Sequence, residues 1–95
     1  MARRRLLIAY DIADPKRLRR VIKVMESFGQ RLQYSVFLCD VSGMERAKWE
    51  AEIRSIVNLR EDSVVTIDLG SSDAPTPVSV LGVARRLPER GPTVV

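Results

Sequence analysis

Asp11 closes an apolar run, Leu6, Leu7, Ile8, Ala9 and Tyr10, and is followed by Asp14, Pro15 and five cations between Lys16 and Lys23. A carboxylate at the end of a core strand, next to the most basic stretch of the chain, suits two kinds of chemistry. It can hold a divalent cation, or it can serve the turn that starts the next helix. Asp14 fits the second role better, because it directly precedes Pro15: an N-cap acid followed by proline at the first helical turn is a standard helix start. Asp11 is thereby left without a structural duty. One carboxylate is a poor site for Mg²⁺, which takes several oxygens, so a two-fold dimer that brings two copies of Asp11 together would make a better one. A shared ion would relieve the repulsion between the two acids and could activate water against a phosphodiester.

The chain contains no histidine and a single cysteine, Cys39. The commonest general base and the commonest transition-metal ligand are therefore missing, and neither a zinc site nor a disulfide can form within one chain. Any metal would be a hard, oxygen-bound ion such as Mg²⁺ or Mn²⁺. Cys39 reads as a small buried hydrophobe, and its solitary state suits a cytoplasmic protein.

Charge is unevenly spread. The chain has 95 residues and a net charge of +4. Residues 1–31 hold nine Lys/Arg and three Asp/Glu (+6), and residues 32–95 hold seven and nine (−2). Thirteen of the sixteen cations are arginine, whose planar fork matches phosphate. Lys16 and Lys23 suit the solvated face of a helix. Arg17, Arg19, Arg20 and Arg31 are the candidate phosphate contacts, and Arg31 stands out by its place between Gly29 and a strand. Arg85 and Arg86 fit phosphate contact or a solvated tail equally well.

The elements that would carry these residues follow from periodicity. Residues 6–10 read as a strand buried on both faces. Leu18, Val21, Ile22, Met25 and Phe28 recur at helical spacing, with Gly29 as the stop. "RLQYSVFLCDV" reads as one strand or as two in a short hairpin with a bend near Tyr34, and Ser42-Gly43 as a turn. Residues 44–59 read as a second helix with Met44, Ala47, Trp49, Ile53, Ile56 and Val57 inward. "DSVVTIDL" is a strand with Val65, Ile67 and Leu69 on one side and Val64, Thr66 and Asp68 on the other. The order β-α-β-β-α-β is the ferredoxin-like arrangement, an α+β sandwich of two helices on one antiparallel sheet. Residues 1–70 form this domain. Residues 71–95 form a linker ("GSSDAPTP"), a short strand ("VSVLGV") and a basic, Pro/Gly-broken tail. No apolar run is long enough for a membrane span, so no membrane partner is expected.

"YDI", "DPKRLRRV", "RLQYSVFL" and "DSVVTI", in this order and at these separations, resemble the Cas2 family of CRISPR-associated proteins, the small subunits of the spacer-acquisition machinery of antiviral defence. The resemblance runs from about Leu6 to Leu69. It implies a ferredoxin-like homodimer whose C-terminal strand, here "VSVLGV", is added to the partner subunit's sheet. It implies that Asp11 binds a divalent ion across the dimer interface and is the catalytic acid of a metal-dependent endonuclease acting on RNA or DNA. Tyr10, Arg17, Arg19 or Arg20, Arg31, Ser35 and Phe37 fall on or near the family's characteristic positions. Partnership with the Cas1 integrase is also implied, with the dimer bridging protospacer DNA. After "SVF" stands Leu38, where many members carry an acid. Two further functions compete with the nuclease: a non-catalytic scaffold made by the same dimer, and a small-ligand regulatory domain of the same fold. Dense arginine and the lack of a Gly-rich ligand loop argue against the last.

Overall fold

A computed structural model describes residues 3–82 and, in backbone, Thr93–Val94. The elements in chain order are β1 (Arg4–Asp11), α1 (Pro15–Phe28), β2 (Gly29–Gln33), β3 (Val36–Val41), α2 (Gly43–Ile56), β4 (Ser63–Ser71), β5 (Ser79–Val80) and β6 (Thr93–Val94). The first four strands form one sheet in the order β2-β3-β1-β4, antiparallel throughout. With both helices on one face, this is the expected ferredoxin-like sandwich.

Strand alternation sorts β1 between the two faces. Leu6, Ile8 and Tyr10 join the core under the helices, with Phe37, Cys39 and Val41 of β3, Val21 and Met25 of α1, and Trp49 and Ile53 of α2. The register pairs Ile8 with Phe37 and Leu6 with Cys39 on this face. Trp49 Nε1 donates to Met25 Sδ at 3.3 Å, so the one buried indole donor is satisfied and the helices are joined through it.

Arg5, Leu7, Ala9 and Asp11 point to the other face, where Ala9 pairs with Val65, Leu7 with Ile67 and Asp11 with Ser63. Val65 and Ile67 remain 51% and 48% exposed there. The apolar side of β4 thus faces away from the helices, and the core receives Val64 from the other side.

Asp14 caps α1 as expected: its side chain accepts from Arg17 N at 2.9 Å, and Pro15 is the first helical residue. Gly29 ends α1 for a different reason from the expected one. Its backbone is extended, not left-handed. A Cβ there would stand 2.5 Å from Cys39 Sγ and from the Leu38 carbonyl, so glycine is required by the close approach of β2 to β3.

Two other expectations need correction. Ser42 is not merely part of a turn. It is the N-cap of α2 in a capping box with Glu45, which replaces two unsatisfied backbone donors with two hydrogen bonds. That shifts the helix start to Gly43 and turns Met44 outward, where it is 77% exposed; Ala47 is also exposed. Within α2 only Trp49 and Ile53 are fully buried, with Ile56 and Val57 packed beside them.

The expected C-terminal strand is two residues long. Ser79–Val80 pairs in parallel with Thr93–Val94 of the same chain, apart from the main sheet. Val83, Arg85 and Arg86 lie outside the described residues.

Candidate functional site

One end of the sheet gathers the end of β1, the β2–β3 turn, the start of β4 and the start of α1. The β1 ladders fix this: Ala9 pairs with Val36 on one side, and Asp11 with Ser63 on the other. Asp11 is exposed at this end, on the face without helices, and its carboxylate meets no hydrogen-bond donor or cation among the described residues. That is unusual in this neighbourhood, since Asp14, Glu61 and Asp62 all serve partners.

Asp62 holds the corner together. Its Oδ1 accepts from Ala13 N at 2.9 Å and from Arg17 Nη2 at 3.1 Å, and its Oδ2 accepts from Arg17 Nε and from Asn58 N, both at 2.8 Å. The carboxylate is fully enclosed. The Arg17 guanidinium, helped by the Asn58 and Ala13 amides, holds its acid well below the usual carboxylate range. Asp11 is therefore fixed from both sides, by its ladder to Ser63 and by the anchoring of Ala13 two residues on. Asp62 was not singled out from the sequence. In "REDSVV" it reads as an ordinary turn acid, and nothing in local spacing reveals a partner 45 residues away.

The candidate cations divide into three groups. Arg17 is bound by Asp62 and by Glu61 at 3.1 Å, so its fork is already occupied. Arg19 and Arg20 are exposed on α1 without an ion pair among the described residues.

Arg31 belongs to a third group, at the β2–β3 turn. Its guanidinium carbon stands 5.7 Å from the Tyr34 ring centre and 5.4 Å from that of Phe37, both within cation–π range. Its Nε is buried and finds no acceptor among the described residues, while the residue as a whole is half-buried. Tyr10 donates its hydroxyl to the Tyr34 carbonyl at 3.0 Å and its amide to the Ser35 carbonyl at 3.1 Å, and its ring lies 6.2 Å from Phe37. Burial raises the Tyr10 hydroxyl pKa against the opposing pull of Arg31, so it remains a donor at neutral pH. Tyr10, Ser35 and Phe37 thus brace the turn that carries Arg31. Phe37 is fully buried and cannot itself touch a ligand.

No group of three or more Cys, Asp or Glu among the described residues is arranged to hold a metal ion. One chain offers an ion at this end a single free carboxylate. The donor type, a hard carboxylate oxygen, fits Mg²⁺ or Mn²⁺; the donor number fits only half a site. No described helix is long and apolar enough to cross a membrane.

Comparison with known proteins bears on this arrangement directly. A family model described as CRISPR associated protein Cas2 matches residues 4–75. The chain is 39% identical over 90 residues to a Rhodospirillum rubrum protein named CRISPR-associated endoribonuclease Cas2 1, covering 94% of this chain and 88% of that one. It is 43% identical over 77 residues to the CRISPR-associated endoribonuclease Cas2 of Geobacter sulfurreducens, covering 80% and 81%. Among solved structures, Streptococcus pyogenes Cas2 superposes with a TM-score of 0.66 at 35% identity, over 70% of this chain and 86% of that one. The match takes in the whole four-stranded sheet, both helices and every residue of the corner around Asp11 and Asp62, and the chain belongs to the CRISPR-associated Cas2 family.

Proposed function

We propose that the chain acts as a homodimeric, nucleic-acid-binding subunit of CRISPR spacer acquisition, and that it cleaves phosphodiester bonds of RNA or DNA with a divalent ion held by Asp11. The observation that carries this reading is the exposed carboxylate of Asp11, left without a partner among the described residues beside three acids, Asp14, Glu61 and Asp62, that are engaged. The names of the relatives, endoribonuclease and endonuclease, point the same way.

Dimerisation follows from the same strand periodicity. Asp11 shares a sheet face with Ala9, Val65, Leu7 and Ile67, an apolar strip that a domain of this size would gain from covering. Packing two such faces about a two-fold axis would bring the two Asp11 carboxylates towards each other and complete the donor set. A bound Mg²⁺ or Mn²⁺ would lower the pKa of its water and offset charge developing on the phosphate. The protein's part would be positional. Asp62 and Ser63 hold the Asp11 backbone. Arg19 and Arg20 would neutralise backbone phosphates, and Arg31, half-buried and braced by Tyr10, Ser35 and Phe37, would add its charge at the turn. Arg17 reaches phosphate only by giving up Asp62. In the cytoplasm, the dimer would work alongside the Cas1 integrase and hold protospacer DNA.

A second reading has its own support. Among the described residues this end of the sheet supplies a single free acid, and Leu38, buried opposite Leu7 four residues before Asp11, adds none. The same dimer would then be a scaffold for DNA and integrase without cutting. Purified protein and Asp11→Asn, prepared in parallel, separate the two. Single-stranded RNA and duplex DNA are incubated with each protein in Mg²⁺ or in EDTA. Mg²⁺-dependent cleavage that disappears in the variant establishes the nuclease. Intact binding without cleavage in either protein leaves the scaffold.

A further inference from the structure

The face of the sheet without helices carries an apolar middle, Leu7, Ala9, Val36, Leu38, Val65 and Ile67, with Asp11 and Ser63 at one end, Asp40 beside Arg3 at the other, and one buried cation, Arg5. Arg5 is 5% exposed. A buried guanidinium is costly unless its donors are satisfied, and here a single segment satisfies them. Arg5 Nη1 donates to the Ala74 carbonyl at 3.0 Å and to Thr76 Oγ1, and Nη2 donates to the Ser72 carbonyl at 3.1 Å. The same segment is tied by Ser72 N to the Arg3 carbonyl at 3.1 Å and by Ala74 N to the Ser71 carbonyl at 3.2 Å. It begins just past Ser71, the last β4 residue paired with β1, and Gly70, at φ +101°, sits where the β1–β4 register shifts. Pro75 and Pro77 fix φ and bias the residues before them to extended backbone, so the root is stiff as well as bound.

Beyond Pro77 the character changes. Val78, Ser79, Val80 and Leu81 line an open cleft with Leu7, Leu32, Gln33 and Val36. Leu81 is 86% exposed, and β5 is two residues long. The segment has a tightly held root and a poorly packed apolar end. That end lies on the same face as exposed Val65 and Ile67. A second copy laid on this face would cover both at once.

We propose that Arg5 is a positioning residue for self-association: it clamps residues 72–76 onto their own sheet, so that residues 78–81 are presented to a second copy of the chain from a fixed pivot. This rests on the homodimer reading above and adds to it the residue that aims the arm.

Amide hydrogen exchange and sedimentation of the full chain test it, comparing the unaltered protein with Arg5→Ala, Arg5→Lys and Thr76→Ala. In Arg5→Ala, exchange of residues 72–76 should quicken at least tenfold, with Leu6 and Cys39 unchanged, and the dimer dissociation constant should rise at least tenfold. Arg5→Lys keeps the charge but loses the fork, and should rescue neither. Thr76→Ala removes one acceptor and leaves the arginine in place, so it should shift both readouts in the same direction by less, and it serves if Arg5→Ala fails to fold. Unchanged exchange of residues 72–76 overturns the clamp. Faster exchange with an unchanged dissociation constant overturns the role in assembly while leaving the dimer standing. An unaltered protein that sediments as a monomer at every concentration removes the dimer reading and this proposal together.

Discussion

Asp11 and Asp62 stand at the same corner of the molecule with opposite fates. The ladder between β1 and β4 pairs Asp11 with Ser63, so the two acids belong to neighbouring strand ends. Asp62 is enclosed and its oxygens accept from Arg17, Ala13 and Asn58. Asp11 is exposed and accepts from none of the described residues. Two carboxylates in one basic neighbourhood therefore do different work. Asp62 has its charge neutralised to build the corner, and Asp11 keeps its charge available to whatever arrives from outside. The difference separates an acid committed to the fold from one left open to the role proposed for it.

The sharpest way to break this comparison is to remove each acid in turn. Asp11→Asn should reduce Mg²⁺-dependent cleavage to background while leaving Tm within about 2 °C, because an exposed substitution that loses no contact usually changes stability by under about 0.5 kcal/mol. A large fall in Tm would show Asp11 to be a structural acid after all. Asp62→Ala should do the reverse. It strands the Arg17 fork and two backbone amides, so Tm should fall further than for any other single exposed or half-exposed acid, with activity lost only as the fold is lost. Melting curves recorded beside single-turnover cleavage at a temperature where both variants are folded would decide it.

Acid sharpens the same contrast. The Asp62 pKa is depressed in the folded chain, so its contribution to stability is present above the unfolded carboxylate value, near pH 4, and is lost as pH falls through the lower folded value. Tm of the unaltered protein should therefore drop below about pH 4. The drop should flatten in Asp62→Asn, which carries no charge to lose, and persist in Asp11→Asn. A curve of the same shape in Asp62→Asn would assign the acid sensitivity to other groups, such as Asp68 beside Arg4.

How much of this was legible in the sequence depended on whether the cause was local. The strands, the first helix and its Asp14-Pro15 start follow from nearest neighbours, and the structure keeps them. Asp11 could be picked out because Asp14 had already taken the capping role a few residues away. What escaped was set at long range. Arg17 reads as one more phosphate-facing cation until the loop before β4 brings Asp62 to it. Arg5 reads as part of a basic N-terminus until residues 72–76 fold across it. Gly29 reads as a helix stop, while its real constraint is the Cys39 sulfur on the next strand. Met44 reads as an inner residue of α2 by spacing alone, and the local Ser42–Glu45 capping box, which sets the start of α2 at Gly43, turns it outward.

A smaller effect tests the open face. Val65→Asp puts a charge in the exposed apolar strip without touching the core, since Val65 faces away from the helices. It should weaken the dimer at least tenfold in sedimentation while the circular dichroism spectrum of the folded chain is retained. A dimer indifferent to this change would mean that the copies meet elsewhere, and that the two Asp11 carboxylates are not brought together by this face.

The smallest effect divides the arginines as the acids are divided. On duplex DNA each phosphate contact contributes about 0.9 to the slope of log affinity against log salt. Arg20→Ala should lower that slope by roughly one contact and leave Tm nearly unchanged, because Arg20 is exposed and has no ion pair among the described residues. Arg17→Ala should leave the slope where it is and lower Tm, because its fork is committed to Asp62 and Glu61. If Arg17→Ala instead reduces the slope by a full contact, the arginine must leave Asp62 when nucleic acid binds. The corner would then exchange one anionic partner for another, and Asp62, like Asp11, would belong to the working site.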